Sequence, residues 1–294
     1  MKKIRISLVL TTLALALSIL FTFNTSLRLG STIFTMKDKK YDDYGSGKIV
    51  YPTKLGDEKG LFDIVEFSVK NNKSEYLFEY ELANINNNYS NANGFSNILI
   101  DTYISVDKTG LLNTYDYGAA ITFNENYPWK YHLRITPEEH YVEKVTDLAN
   151  RITEKIDSDL ILEGKVIKVL IKKESISENL KKSKYYVFTG GYDILGSDNY
   201  REVVKDEDEW NFSGGIDSLY QPNVLDVVNP VQEQMLLYFM PPTYAILSPV
   251  YNQLHEALIK KEYIYILIFI FFGYNYRYTY RLYKKELKKE KDAF

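Results

Sequence analysis

The chain has 294 residues, with 36 Lys and Arg against 39 Asp and Glu, three His and no Cys. The lack of cysteine excludes a disulfide scaffold, a thiolate metal site and a cysteine nucleophile, while 45% apolar and 26% charged residues describe a chain able to fold around a core. The first 29 residues carry a net charge of +4 and those from Lys260 onward +5, leaving 23 bases against 35 acids, a net −12, between them; phosphate backbones would repel that middle, which excludes nucleic acid as a partner.

After Lys2, Lys3 and Arg5, residues 6–23 are apolar except for Ser and Thr. Residues 1–29 therefore read as an apolar helix that is either a signal sequence or an N-terminal membrane anchor. Asp42 and Asp43 then precede a Gly45-Ser46-Gly47 turn. Carboxylates at such a turn can join backbone carbonyls around a hard cation, or simply accept from N–H groups in an Asx turn.

From residue 63 the apolar period becomes two, the strand signal. Residues 63–70 put Val65, Phe67 and Val69 on one face, Asn71 and Asn72 make a turn, and residues 75–82 alternate Tyr76, Phe78, Tyr80 and Leu82 against glutamates, with Leu77 out of step. This predicts a β-hairpin. Residues 84–94 are an Asn-rich loop and 95–103 are strand-like. In residues 129–135, Trp129, Tyr131, Leu133 and Ile135 alternate inward, which leaves Lys130, His132 and Arg134 outward. Residues 138–154 are charged and mixed, strands resume at 164–171 and 184–189, and 175–182 suit a short helix. The acidic run 206–209 leads to Trp210 and a glycine turn, a setting for an exposed ring.

A long helix is expected within residues 248–289. Residues 263–273 are continuously apolar or aromatic, and the stretch reaches the roughly twenty residues of a membrane span only when extended to Tyr283, with Arg277 snorkelling. The alternative is a buried or partner-binding amphipathic helix. The cationic tail from Arg277 to Lys291 favours the membrane and an inner leaflet, placing both termini inside and the acidic middle outside.

The motifs, taken in order, resemble the glucodextranase C-domain family, the SLH-like C-terminal binding module of surface enzymes. Those that carry the resemblance are Asp42-Asp43-Tyr44-Gly45-Ser46-Gly47 with Tyr51-Pro52, Phe62-Asp63-Ile64, Gly94-Phe95-Ser96 and Asp101-Thr102-Tyr103-Ile104. Trp129-Lys130-Tyr131, Thr189-Gly190-Gly191-Tyr192-Asp193, Trp210 to Gly215 and Pro222-Asn223-Val224-Leu225-Asp226 continue the series. Ser105 departs from it, where an acid is common. The resemblance implies a sandwich akin to family 9 carbohydrate-binding and DOMON-like modules, serving sugar binding or surface attachment without catalysis. It also suggests Asp42, Asp43 and Asp63 as ligands of a structural calcium.

The expected architecture is mainly β: an antiparallel, jelly-roll-like β-sandwich ectodomain over residues 37–243, between the apolar N-terminal helix and a C-terminal helix over 248–294 that spans the membrane. The expected function is a non-catalytic module anchored in the cytoplasmic membrane, displaying the sandwich on its extracytoplasmic side to bind an α-glucan-like carbohydrate. Trp210, Tyr192, Tyr186 and Trp129 supply the rings, because sugar C–H faces stack on flat aromatics; Trp129, on the inward face, also reads as core. An assembly subunit of an envelope protein complex is the alternative, and a glycoside hydrolase with a carboxylate pair the third reading. His132, His140 and His255 are too scattered for a zinc motif, and P-loop, dinucleotide and nucleophile-elbow signatures are missing.

Overall fold

Alternating apolar residues make a strand pair when each buries the same face, and the predicted hairpin forms in this way. In the computed structural model, which describes residues 32–55, 58–114, 118–216, 218–237, 239–250, 252–253, 270–271, 273–285 and 287–289, it consists of two antiparallel strands. The elements are β1 (Thr32–Lys37), β2 (Ile64–Asn71), β3 (Glu75–Leu82), β4 (Ile98–Ser105), β5 (Ile121–Phe123), β6 (Tyr131–Ile135), β7 (His140–Asp147), β8 (Ile152–Ile156) and β9 (Ser158–Glu163). They continue with β10 (Val166–Lys172), β11 (Lys184–Gly191), β12 (Asp226–Val227), α1 (Gln232–Leu237) and β13 (Ala245–Leu247).

One antiparallel sheet runs β1-β2-β3-β10-β9 and a second β12-β11-β4-β6-β7-β8; β13 and β5 form a parallel pair. The two large sheets face each other across a shared core containing Phe34, Phe67, Phe78 and Tyr80 from the first and Ile100, Ile104, Leu133 and Val187 from the second. The fold is therefore mainly β, with the antiparallel sheets of a sandwich. Its compact unit runs from Thr32 to Gln253, wider at both ends than residues 37–243.

The two sheets differ in how they meet water. β3 and β10 alternate buried and partly exposed residues, as a sheet covered on one face must. Every residue of β4 and β6, and all but the first of β11, is buried. A second core covers the outer face of this sheet, in which Leu99, Tyr103, Trp129, Tyr186 and Phe188 pack beneath Ile121, Phe123, Leu236, Ala245 and Leu247. That layer corrects the expected outward placement of His132 and Arg134: both are buried, since their side of the sheet faces protein.

Other expectations also change. Residues 138–154, which carried no clear signal, form β7 and β8 at the sheet edge, where alternation is diluted by solvent-facing charge. In place of a helix at 175–182 there are two 3₁₀ turns, Lys173–Ser175 and Leu180–Lys182. Among the described residues no helix is long and apolar enough to cross a membrane. The described residues between 270 and 289 are helical and belong to a separate unit. The apolar runs at 6–23 and 263–269 lie outside the described residues.

Candidate functional site

The turn carrying Asp42 and Asp43 is held against the second sheet. Gly45, at φ +55°, donates its N–H to the Leu225 carbonyl at 2.7 Å, and a Cβ there would lie 2.9 Å from the Val224 carbonyl oxygen, so a side chain cannot take its place. This docking gathers Asp42, Asp43 and Asp63 with two acids that were not among the expected ligands, Asp38 just after β1 and Asp226 in β12.

Four of these carboxylates are oriented by backbone N–H groups on one oxygen. Asp38 Oδ1 accepts from Lys39 at 2.9 Å, Asp43 Oδ2 from Phe62 at 3.1 Å and from the Tyr51 hydroxyl, Asp63 Oδ2 from Tyr41, and Asp226 Oδ2 from Ile64 at 2.8 Å. A second oxygen on each, and Oδ1 of Asp42, is buried without a hydrogen-bond partner. Burial, reinforced by their mutual repulsion, pushes Asp38 and Asp63 up to about 7 and raises Asp42 and Asp226; burial raises Asp43 as well. Among the described residues no three Asp, Glu or His side chains already surround a common point for a metal ion.

Beside this cluster opens a cleft of about 670 Å³, walled by Tyr44, Tyr51, Pro52, Thr53 and Lys59 among others. The Tyr44 and Tyr51 rings lie 5.8 Å apart, and Tyr51 is fixed edge-on against Phe62 and Phe212 while its hydroxyl reaches Asp43. Thr53 and Lys54 donate to the carbonyls of Asp208 and Glu209, each at 3.2 Å, bringing the Trp210 loop to this side. The Trp210 ring is 53% exposed, with Lys54 Nζ 5.8 Å from its centroid.

The four predicted ring residues do not assemble into one platform. Trp129 and Tyr186 are buried in the second core, Trp129 donating from Nε1 to Asn113 O at 3.2 Å and Tyr186 donating its hydroxyl to Tyr127 O at 3.0 Å. They offer no face to a ligand because that second layer covers their sheet. Tyr192 is partly buried against the same core, which leaves Trp210 as the open ring.

The sequence reading also missed a buried polar network beneath the second core. Asp101 Oδ1 meets His132 Nε2 at 2.8 Å and accepts from Arg134 Nε at 2.9 Å, while Oδ2 accepts from Arg134 at 2.8 Å and from the Tyr200 hydroxyl at 2.8 Å. Glu143 contacts the other ring nitrogen of His132 at 2.8 Å, and Tyr103 stacks on that ring at 4.2 Å. Burial alone would raise Asp101, but the charges and hydrogen bonds of Arg134 and His132 hold it well below the usual carboxylate range. Arg134 also donates to Asp198 O at 2.9 Å, supporting a second cleft of about 620 Å³ lined by Asp198, Glu202, Gln221, Asn223 and Tyr244. The available signal was Asp101 opposite Arg134 and Tyr103 opposite His132 on paired strands, visible only once β4 and β6 are in register.

Residues 33–249 match the model of a protein family described as the C-terminal binding module, SLH-like, of glucodextranase. No curated protein matches the sequence.

Proposed function

The chain belongs to the family of SLH-like C-terminal binding modules of glucodextranase, a family of binding modules rather than catalytic domains, and from that premise we propose that it binds a carbohydrate of α-glucan type at the outer side of the cytoplasmic membrane. The observation that carries the reading is the exposed Trp210 ring fastened beside the cleft of Tyr44 and Tyr51. Rings held rigidly lose little entropy on binding, and Thr53, Glu58 and Lys59 add polar groups that can address hydroxyls.

Anchoring is part of the proposal. The apolar run at 6–23 and the stretch 263–283, followed by a basic tail, are long enough to tether the module with both termini inside. Within the helical residues after 270, Ile270, Phe271 and Tyr274 are each more than 60% exposed, as side chains meant for lipid would be. A tethered module raises the local concentration of what it holds.

A second reading, an assembly subunit of an envelope protein complex, draws on exposed loop residues Leu195 and Leu219, at 91% and 88%. Calorimetric titration of the detergent-solubilised chain with α-glucan oligosaccharides separates the two. Saturable heat that weakens at least about tenfold in Trp210→Ala, a loss near 1.4 kcal/mol, supports the sugar reading. A folded chain that gives no heat across the glycans refutes it and directs the search to protein partners.

A further inference from the structure

We infer that the cleft lined by Asp198, Glu202, Asn223 and Tyr244 binds a small organic cation, an ammonium group carried on a compact alkyl or sugar frame. Its volume of about 620 Å³ lies within the roughly 300–1,000 Å³ usual for small-molecule sites. The cleft belongs to the acidic middle of the chain, and none of its lining residues is Lys, Arg or His. Among the described residues Asp198 and Glu202 form no ion pair, and Asp198 Oδ2 accepts no hydrogen bond. Two carboxylates therefore line this space without a counter-charge.

Local structure keeps them there. Asp198 Oδ1 accepts from the Tyr200 N–H at 3.0 Å and its carbonyl accepts from Arg134 at 2.9 Å, so side chain and backbone are both fixed. Arg134 does not neutralise the cleft, since its guanidinium is already paired with Asp101. Gly118 has φ +78°, and a Cβ there would lie 2.5 Å from the Asp198 carboxyl carbon and 2.8 Å from each of its oxygens. Only glycine leaves that carboxylate its place. The Asn223 side chain donates to the Gly118 carbonyl at 2.9 Å and accepts from the Val203 N–H at 3.0 Å, joining two walls of the cleft.

The choice of ligand follows from these walls. An anion would be repelled, and a neutral molecule would displace water from two carboxylates without returning a charge. Among the described residues no three acids converge as a metal ion requires. An ammonium group needs no such convergence, because its several N–H donors can address separate carboxylates while its carbon frame meets Val203, Ile216 and Leu219. The Tyr244 ring, 4.8 Å from that of Tyr220, adds a π surface attractive to a cation. This cleft shares no lining residue with the one beside Trp210, and the inference does not depend on the sugar reading.

The experiment is calorimetry of the full chain in non-ionic detergent at about pH 6, where alkyl and sugar amines carry their proton. Butylammonium is titrated against neutral butanol, and glucosamine against glucose. An amine is expected to give saturable heat that its neutral partner does not, weakened when salt is raised to about 0.5 M; which of the two amines binds identifies the frame. Glu202→Gln, at an exposed position, and Asp198→Asn, which can still accept from Tyr200, should each weaken amine binding at least about threefold. Should Asp198→Asn fail to fold, Glu202→Gln alone decides. A folded chain that gives no saturable heat with either amine overturns the inference, as does a neutral partner that binds as tightly as its amine, or unchanged affinity in Glu202→Gln. Because each amine is judged against its own neutral partner, failure here is distinguishable from failure of the sugar reading.

Discussion

Replacing Arg134 by Met tests whether the buried network holds the second sheet together. The substitution keeps an apolar stem of similar length and removes two charge-assisted hydrogen bonds to Asp101, at 2.8 and 2.9 Å, plus one to Asp198 O at 2.9 Å. Asp101 is fully buried, so its carboxylate would stay behind against His132 and the Tyr200 hydroxyl without the guanidinium charge. Breaking a buried pair from one side costs about 3–5 kcal/mol, and the lost bond to a carbonyl adds about 1 kcal/mol. A loss of about 5 kcal/mol is expected, a large part of the roughly 5–15 kcal/mol that holds a domain folded. Urea unfolding at pH 7, followed by fluorescence of the buried Trp129, measures it. The acid side gives a further check. In the wild type Asp101 lies below its unfolded value, so its contribution is present above about pH 4 and fades as pH falls further. In the variant burial dominates and lifts the folded value, so stability returns on acidification and the gap between the two proteins narrows from pH 7 towards pH 4. A loss below about 1 kcal/mol at pH 7, or strict additivity with Asp101→Asn in a double-mutant cycle, refutes the account.

Trp129→Ala should cost about 3–5 kcal/mol as a core truncation, whereas Trp210→Ala should change stability by no more than about 0.5 kcal/mol; denaturant titration of the pair distinguishes a core ring from a surface ring. With chelator present, the melting temperature should fall as pH rises from about 5 to 8. The reason is that Asp38 and Asp63, lifted to about 7 chiefly by burial, bind protons more tightly folded than unfolded; what they contribute is full below about pH 4 and disappears above about 7. A melting temperature that stays level over that range contradicts the raised values. Protease added outside intact cells should degrade the 32–253 unit and spare the basic tail, and protection of that unit would reverse the proposed topology.

Some of this protein is written locally in its sequence. The alternation of residues 63–70 and 75–82, with Asn71 and Asn72 between them, makes the hairpin, because a half-buried strand exposes its period directly. The ordered short motifs carry the family, and the glycine turn after Asp43 marks one wall of the aspartate cluster. Local pattern gives the period of β6 correctly but not the surroundings of each face. His132 and Arg134 alternate with the core residues and would be solvated on an open sheet; β5, β13 and α1 pack with Tyr103, Trp129 and Tyr186 on that side, and the loop carrying Asp198 and Tyr200 meets Arg134, so both are buried. Asp226 likewise follows Asp63 by more than 160 residues, and only the docking of the 42–47 turn on β12 brings the acids together. The sequence by itself thus determined the strands that alternate across a half-buried face and the short motifs that mark the family, since both follow from local side-chain pattern. Which of those residues are buried, and which meet, was decided by the tertiary structure, because a second covering layer and contacts between distant strands leave no periodic trace in the chain.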